Sequence, residues 1–111
     1  MAIDDAVAPL EEEFNRQLAR GAAAVASGDL EPAREALEDA LAIHSRDPKV
    51  LGLLGQVFYR LARYQDAVVA WQRLVDDNPM EPGARVNLGL GYLKAREFEA
   101  AIKQLRIALD L

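Results

Sequence analysis

The chain has 111 residues, enough for one domain and one core. Its 51% hydrophobic and 28% charged residues are the composition of a folded globular protein, and the absence of Cys excludes disulfide frameworks, thiolate metal sites and Cys nucleophiles. The net charge of −5, divided into −7 over residues 1–47 and +2 over residues 48–111, provides no basic footprint for nucleic acid.

Residues 1–8 read as a frayed start or a short extra turn. A first helix is predicted over 9–27, ended by Gly28-Asp29. A second is expected over 31–44, opened by Glu31-Pro32. Asp47-Pro48 places a good N-cap before a proline at the first helical position, so a third helix runs over 48–61. The fourth, over 65–77, stops at Asn78, because the residue before Pro79 is pushed out of helical geometry. The fifth, over 82–95, opens with Glu81-Pro82, and the sixth covers 98–110. Strand-type alternation is absent, so the fold class is all-α. No apolar run approaches the roughly 18 residues of a membrane span. The opening Met1-Ala2-Ile3-Asp4-Asp5 has neither the basic start nor the apolar block of a secretory signal, and the chain is expected to be cytoplasmic.

These helices repeat. Gly21, Gly55 and Gly89 stand 34 residues apart, as do Ala33, Ala67 and Ala101. Leu30, Tyr64 and Phe98 keep the same interval, and so do Leu37, Trp71 and Leu105, and Leu41, Val75 and Leu109. The units are 14–47, 48–81 and 82–111, with residues 1–13 as an extension or the start of the first helix. Each unit holds two one-sided apolar stripes at helical period, such as Leu51, Leu54, Phe58 and Leu61 followed by Ala67, Val68, Trp71, Leu74 and Val75. The glycines, set opposite Ala33, Ala67 and Ala101, are expected to bring the paired helices close, with Tyr64 and Phe98 filling the gap near each turn. One pair cannot bury both of its faces, so pairs must stack.

The residues Leu54-Gly55, Phe58, Tyr64, Ala67, Trp71 and Pro79, repeated as Leu88-Gly89, Tyr92, Phe98, Ala101 and Ala108, resemble the tetratricopeptide repeat. The first unit departs from that pattern, with Arg20 before Gly21, Ala24 in place of the aromatic and Ser45 in place of the closing proline. The resemblance implies a helix-turn-helix repeat solenoid, a right-handed superhelix of antiparallel helix pairs whose concave groove is lined by the first helix of each unit. It implies groove positions at Leu18, Ala22 and Val25, then Lys49, Gly52, Leu53, Gln56, Tyr59 and Arg60, then Val86, Asn87, Leu90, Leu93 and Lys94. The residues themselves point the same way in the third unit. Its first helix carries Leu88, Tyr92 and Ala95 on one face and Val86, Leu90 and Leu93 on another. A helix apolar on two faces is buried on both or offers one to a partner. Tyr59, beside the core residue Phe58, is the aromatic best suited to anchor a peptide.

Nothing in the sequence supports catalysis, a metal or a cofactor. Glu11, Glu12 and Glu13 splay around a helix, as consecutive residues must. His44 is the single histidine and stands near a helix end, where it suits the dipole. Gly89-Leu90-Gly91 lies inside a helix and not after a strand, so it lacks a phosphate-binding context. Arg60, Arg63, Lys94 and Arg96 cluster near the turns, either to hold an acidic segment or as solvated helix-end charges. Ile102, Leu105, Ile107, Leu109 and Leu111 have no following helix to cover them all. Either the chain continues in a longer repeat protein or this end packs on another copy. The expected function is a non-enzymatic scaffold that binds a protein or peptide in its groove. The alternative is a structural module that self-assembles through its uncapped repeat ends, a homo-oligomer through the C-terminal helix. Ten Arg against three Lys, with abundant Ala, suggest a bacterial source.

Overall fold

The computed structural model describes residues 2–111. It holds α1 (Ile3–Ser27), α2 (Leu30–Ile43), α3 (Pro48–Arg60), α4 (Tyr64–Asp77), α5 (Pro82–Lys94) and α6 (Phe98–Asp110), with no strand among the described residues. Each helix packs against the next, giving a solenoid of three antiparallel pairs with extents of 52 × 29 × 18 Å. The radius of gyration, 15.4 Å, exceeds the roughly 13 Å of a compact chain of this length, as stacking in one direction requires.

The helices α2 to α6 start and stop within one residue of the expected positions. The first helix corrects the reading of residues 1–8 as a frayed start or short turn. Residues 3–8 are the opening turns of a 25-residue helix, and Met1 lies outside the described residues. Pro9 is tolerated because its missing N–H frees only the carbonyl of Asp5, which sits on an exposed stretch open to water. Asp4 and Asp5 suit the positive end of the helix. Just beyond Pro9 the helix is pinned to α2. Glu11 Oε1 lies 2.7 Å from His44 Nε2, and the His44 ring meets Phe14 edge-on at 4.5 Å.

The 34-residue interval extends to the backbone of the turns. Gly28, Ala62 and Arg96 occupy equivalent places and all are left-handed, with φ of 78°, 60° and 65°. In each turn two amide N–H groups donate back to the preceding helix. Gly28 bonds Val25 and Asp29 bonds Ala24; Ala62 bonds Tyr59 and Arg63 bonds Phe58; Arg96 bonds Leu93 and Glu97 bonds Tyr92. These bonds satisfy carbonyls that the helix ends leave free. Between units the chain restarts differently. Asp47 Oδ1 accepts from the Val50 N–H at 3.0 Å, and Glu81 Oε1 accepts from Gly83 at 3.0 Å.

Within each pair the contact is tighter and differently composed than expected. What lies over each glycine is a large side chain of the second helix, not the matching alanine alone. A Cβ at Gly21 would stand 2.6 Å from Leu37 Cγ, one at Gly55 2.5 and 2.6 Å from Trp71 Cε2 and Cδ1, and one at Gly89 2.8 Å from Leu105. Ala33, Ala67 and Ala101 are buried beside them. The bulky residue can lie flat only where the facing helix has no side chain. Phe98 corrects the picture of an aromatic plug: it is 48% exposed, with the Arg96 guanidinium 5.6 Å from its ring centroid. Between pairs the core is continuous from Phe14 and Leu37 through Val50, Leu54, Val57 and Phe58 to Val68, Trp71, Val75 and Leu88.

Two stability measurements follow from this packing. Gly55→Ala sets a methyl group against a buried, rigid indole and is expected to cost about 1–3 kcal/mol. Gly52→Ala meets nothing nearer than Leu74 Cδ1 at 4.0 Å and is expected to be neutral or to gain up to about 1 kcal/mol of helix propensity. Urea unfolding of both variants, compared at constant slope, checks the difference. In the turns, Ala62→Gly relieves a left-handed alanine and is expected to raise stability by about 0.5–1 kcal/mol, read as a higher thermal midpoint.

Candidate functional site

The first helices α1, α3 and α5 follow one another along one side of the solenoid, so the expected groove residues fall into rows across it. Leu18, Gly52 and Val86 form one row by the 34-residue interval, Ala22, Gln56 and Leu90 the next, and Val25, Tyr59 and Leu93 the third. Two clefts open along these helices. The first, of about 590 Å³, lies between α1 and α3 and is walled by Leu18, Ala22, Lys49, Gly52 and Leu53, together with Asn15, Ala19 and Pro48. The second, of about 530 Å³, holds Asn87 with Gly83 and Ala84 of α5, Pro48 of α3, and Leu74, Asp77 and Asn78 at the end of α4. Arg46 and Glu81 form its polar rim.

The structure thus brings Leu18, Ala22, Lys49 and Leu53 around one space and sets Asn87 in another. Gln56 is exposed on α3. Val86, Leu90, Leu93 and Lys94 line neither cleft and form a separate exposed row on α5, with exposures of 38%, 38% and 44% for the three apolar residues. Their opposite neighbour Leu88 is fully buried, so α5 has one apolar face in the core and one facing out. Asn15, Ala19 and Pro48 had no apolar or charged signature of their own. Their signal is position, since Asn15 lies one helical turn and Ala19 one residue from Leu18, and Pro48 precedes Lys49.

Two expected residues are already engaged with the protein. Tyr59 is half-buried, its ring edge-on to Tyr64 at 5.5 Å and tilted against Trp71 at 5.8 Å. The Arg60 guanidinium donates to the Val25 carbonyl at 3.3 Å, tying the end of α3 to the end of α1. Of the other cations, Arg63 donates to Asp66 at 2.9 Å and lies over the Phe58 ring, and Arg96 lies over Phe98. Along the three rows and their flanking positions the charged residues are Lys49, Arg60 and Lys94, while the cleft that holds Asn87 carries Arg46 with Asp77 and Glu81. Arg34 stands on α2 where α4 has Val68. The hydrogen bond to Glu31, with Glu38 and Glu35 close by, holds its guanidinium charged and raises its pKa above the usual arginine value.

The acidic run at 11–13 diverges. Glu11 goes to His44, Glu13 pairs with Arg16 and accepts from Gln17, and Glu12 is exposed. No group of three or more metal-ligating side chains converges among the described residues. No helix is long and apolar enough to cross a membrane.

Comparison with known proteins gives a consistent result. The tetratricopeptide repeat pattern matches residues 18–82 and again residues 53–111. No curated protein sequence matches the chain. A crystal structure of MamA superposes with a TM-score of 0.81 at 22% identity, covering 87% of this chain and 57% of that one. MamA AMB-1 superposes at 0.82 with 30% identity, covering 88% and 54%, and MamA MSR-1 at 0.81 with 28% identity, covering 88% and 56%. The chain therefore spans a little over half the length of these neighbours. Columns at a 34-residue interval, turns that repeat at that interval and pattern matches reaching across residues 18–111 establish that the chain belongs to the tetratricopeptide repeat family.

Proposed function

We propose that the chain is a scaffold that holds a segment of a partner protein along the concave side of α1, α3 and α5. Repeats of this family serve as frames for protein–protein contact and are typically non-enzymatic. The observation that carries the groove reading is the exposed row Val86, Leu90 and Leu93 on α5, on the side that also holds the mainly apolar cleft around Leu18, Ala22 and Leu53. A lone exposed Leu needs no explanation, but a row of three on the face that also holds the cleft suits an extended or helical segment with spaced apolar anchors. Lys49, Arg60 and Lys94 along these rows favour a segment that is neutral or acidic beside those anchors. Tyr59 contributes its exposed edge, and its packing on Trp71 fixes that edge in place. The excess of Arg over Lys, 10 to 3, supports a bacterial source for this scaffold.

Selection from a random peptide library displayed on phage tests the reading. Enriched peptides are expected to share apolar anchors. Their affinity is expected to fall by about 1–3 kcal/mol with Leu90→Asp or Ala22→Glu. Both positions are exposed, so neither change disturbs the core. A library that yields no enrichment, or peptides that bind both variants as well as the parent, overturns the groove.

A further inference from the structure

The last helix presents an apolar row that the rest of the structure leaves largely open, with Leu105 half-buried over Gly89 and the Arg96 guanidinium over Phe98. Phe98, Ile102, Leu105 and Leu109 of α6 are the repeat equivalents of Tyr64, Val68, Trp71 and Val75 of α4. On α4 that row is packed by α5, and Val68, Trp71 and Val75 are at most 7% exposed. On α6 the exposures of Phe98, Ile102 and Leu109 are 48%, 50% and 86%. The other end of the solenoid is built differently. Where α3 has the buried Val50 and Leu54, and α5 the buried Ala84 and Leu88, α1 has the exposed Arg16 and Arg20. Stacking copies head to tail would press these two guanidinium groups onto the apolar row of α6, at a large desolvation cost. The open end does not fit the opposite end of its own kind.

It does fit itself. The row has spacings of 4, 3 and 4 residues, which read the same in either direction. We propose that α6 pairs antiparallel with α6 of a second copy about a two-fold axis, making this face the interface of a homodimer. Phe98 then layers with Leu109 of the second copy, and Ile102 with its Leu105. Charge fits this orientation. Glu99 and Arg106 lie about a quarter-turn to one side of the row, at about 100° per residue. Both are exposed, and neither has an ion-pair partner among the described residues. In the antiparallel pair each Glu99 meets Arg106 of the other copy, twice over. A parallel two-fold pair would instead turn the Glu99 and Arg106 flank of one copy toward the Ala101 flank of the other. The other flank is taken, because Ala101 is buried against α5 beside Gly89.

Sedimentation of the 111-residue chain from about 10 μM to about 1 mM, the range in which a small interface associates, is expected to show a monomer passing to a dimer and no further. Leu109→Asp and Ile102→Asp, both at exposed positions, are expected to keep the helical content and abolish the dimer. Glu99→Arg or Arg106→Glu alone turns two attractive contacts repulsive and is expected to weaken dimerisation about tenfold. The double variant E99R/R106E, or an equimolar mixture of the two single variants, is expected to restore it. A monomer throughout the range, growth beyond dimers, a dimer indifferent to Leu109→Asp, or a double variant as weak as the singles overturns the proposal. Leu90→Asp and Ala22→Glu leave this dimer unchanged, so its failure and the failure of the groove are read separately.

Discussion

Each helix pair closes because a glycine on one helix leaves room for a large side chain of the other. Leu37 lies on Gly21, Trp71 on Gly55 and Leu105 on Gly89. That contact sets how closely the two helices of a pair approach. The indole of Trp71 shows how closely the geometry is held. It fills the space over Gly55, lies so close to Gly91 of the following unit that a Cβ there would stand 3.3 Å from it, and supports the ring of Tyr59. One side chain therefore links the inside of a pair, the joint between pairs and the edge of the inner face.

The inner face inherits its character from this arrangement. Because the same positions of α1, α3 and α5 return every 34 residues, whatever the sequence places there becomes a row across the solenoid. The three units differ in what they place. Leu18 and Ala22 leave a shallow apolar cleft beside Leu53, Gln56 and Lys49 add polar contacts, and Val86, Leu90 and Leu93 form an exposed apolar strip. A regular frame with irregular rows is how a repeat protein acquires preference for one segment over another. The two ends differ in the same spirit. Arg16 and Arg20 make the first end polar, while Phe98, Ile102 and Leu109 leave the last end apolar.

Several features that look functional in the sequence have structural work in the fold. His44 and Glu11 pin the long first helix to the end of α2, and Arg60 ties α3 to α1 through a backbone carbonyl. Arg34 replaces an apolar residue at the cost of no buried charge, since Glu31 and Glu38 bond its guanidinium at the surface. The left-handed turns need glycine sterically but receive it only once, at Gly28. Ala62 and Arg96 accept the same conformation because two backbone hydrogen bonds and the packing of both helices hold it.

The sequence by itself determined the helices, their number and their period, because apolar spacing, Asp47-Pro48, Asn78-Pro79 and the glycine columns are local signals that survive without tertiary context. It also determined which residues share a row, since a fixed interval in a stacked fold is a fixed place in space. Other features were decided only by the tertiary structure. The residue facing each glycine, the cleft made by Asn15 and Ala19, the partial burial of Tyr59 and the joining of Glu11 to His44 all depend on how two helices far apart in the chain rotate against each other. The extension of α1 through Pro9 was hidden for a related reason. A proline reads as a start signal locally, and only its exposed surroundings and the anchor at Phe14 let the helix run on before it. Period is a property of one chain segment, whereas facing is a property of two, and only the packed structure supplies the second.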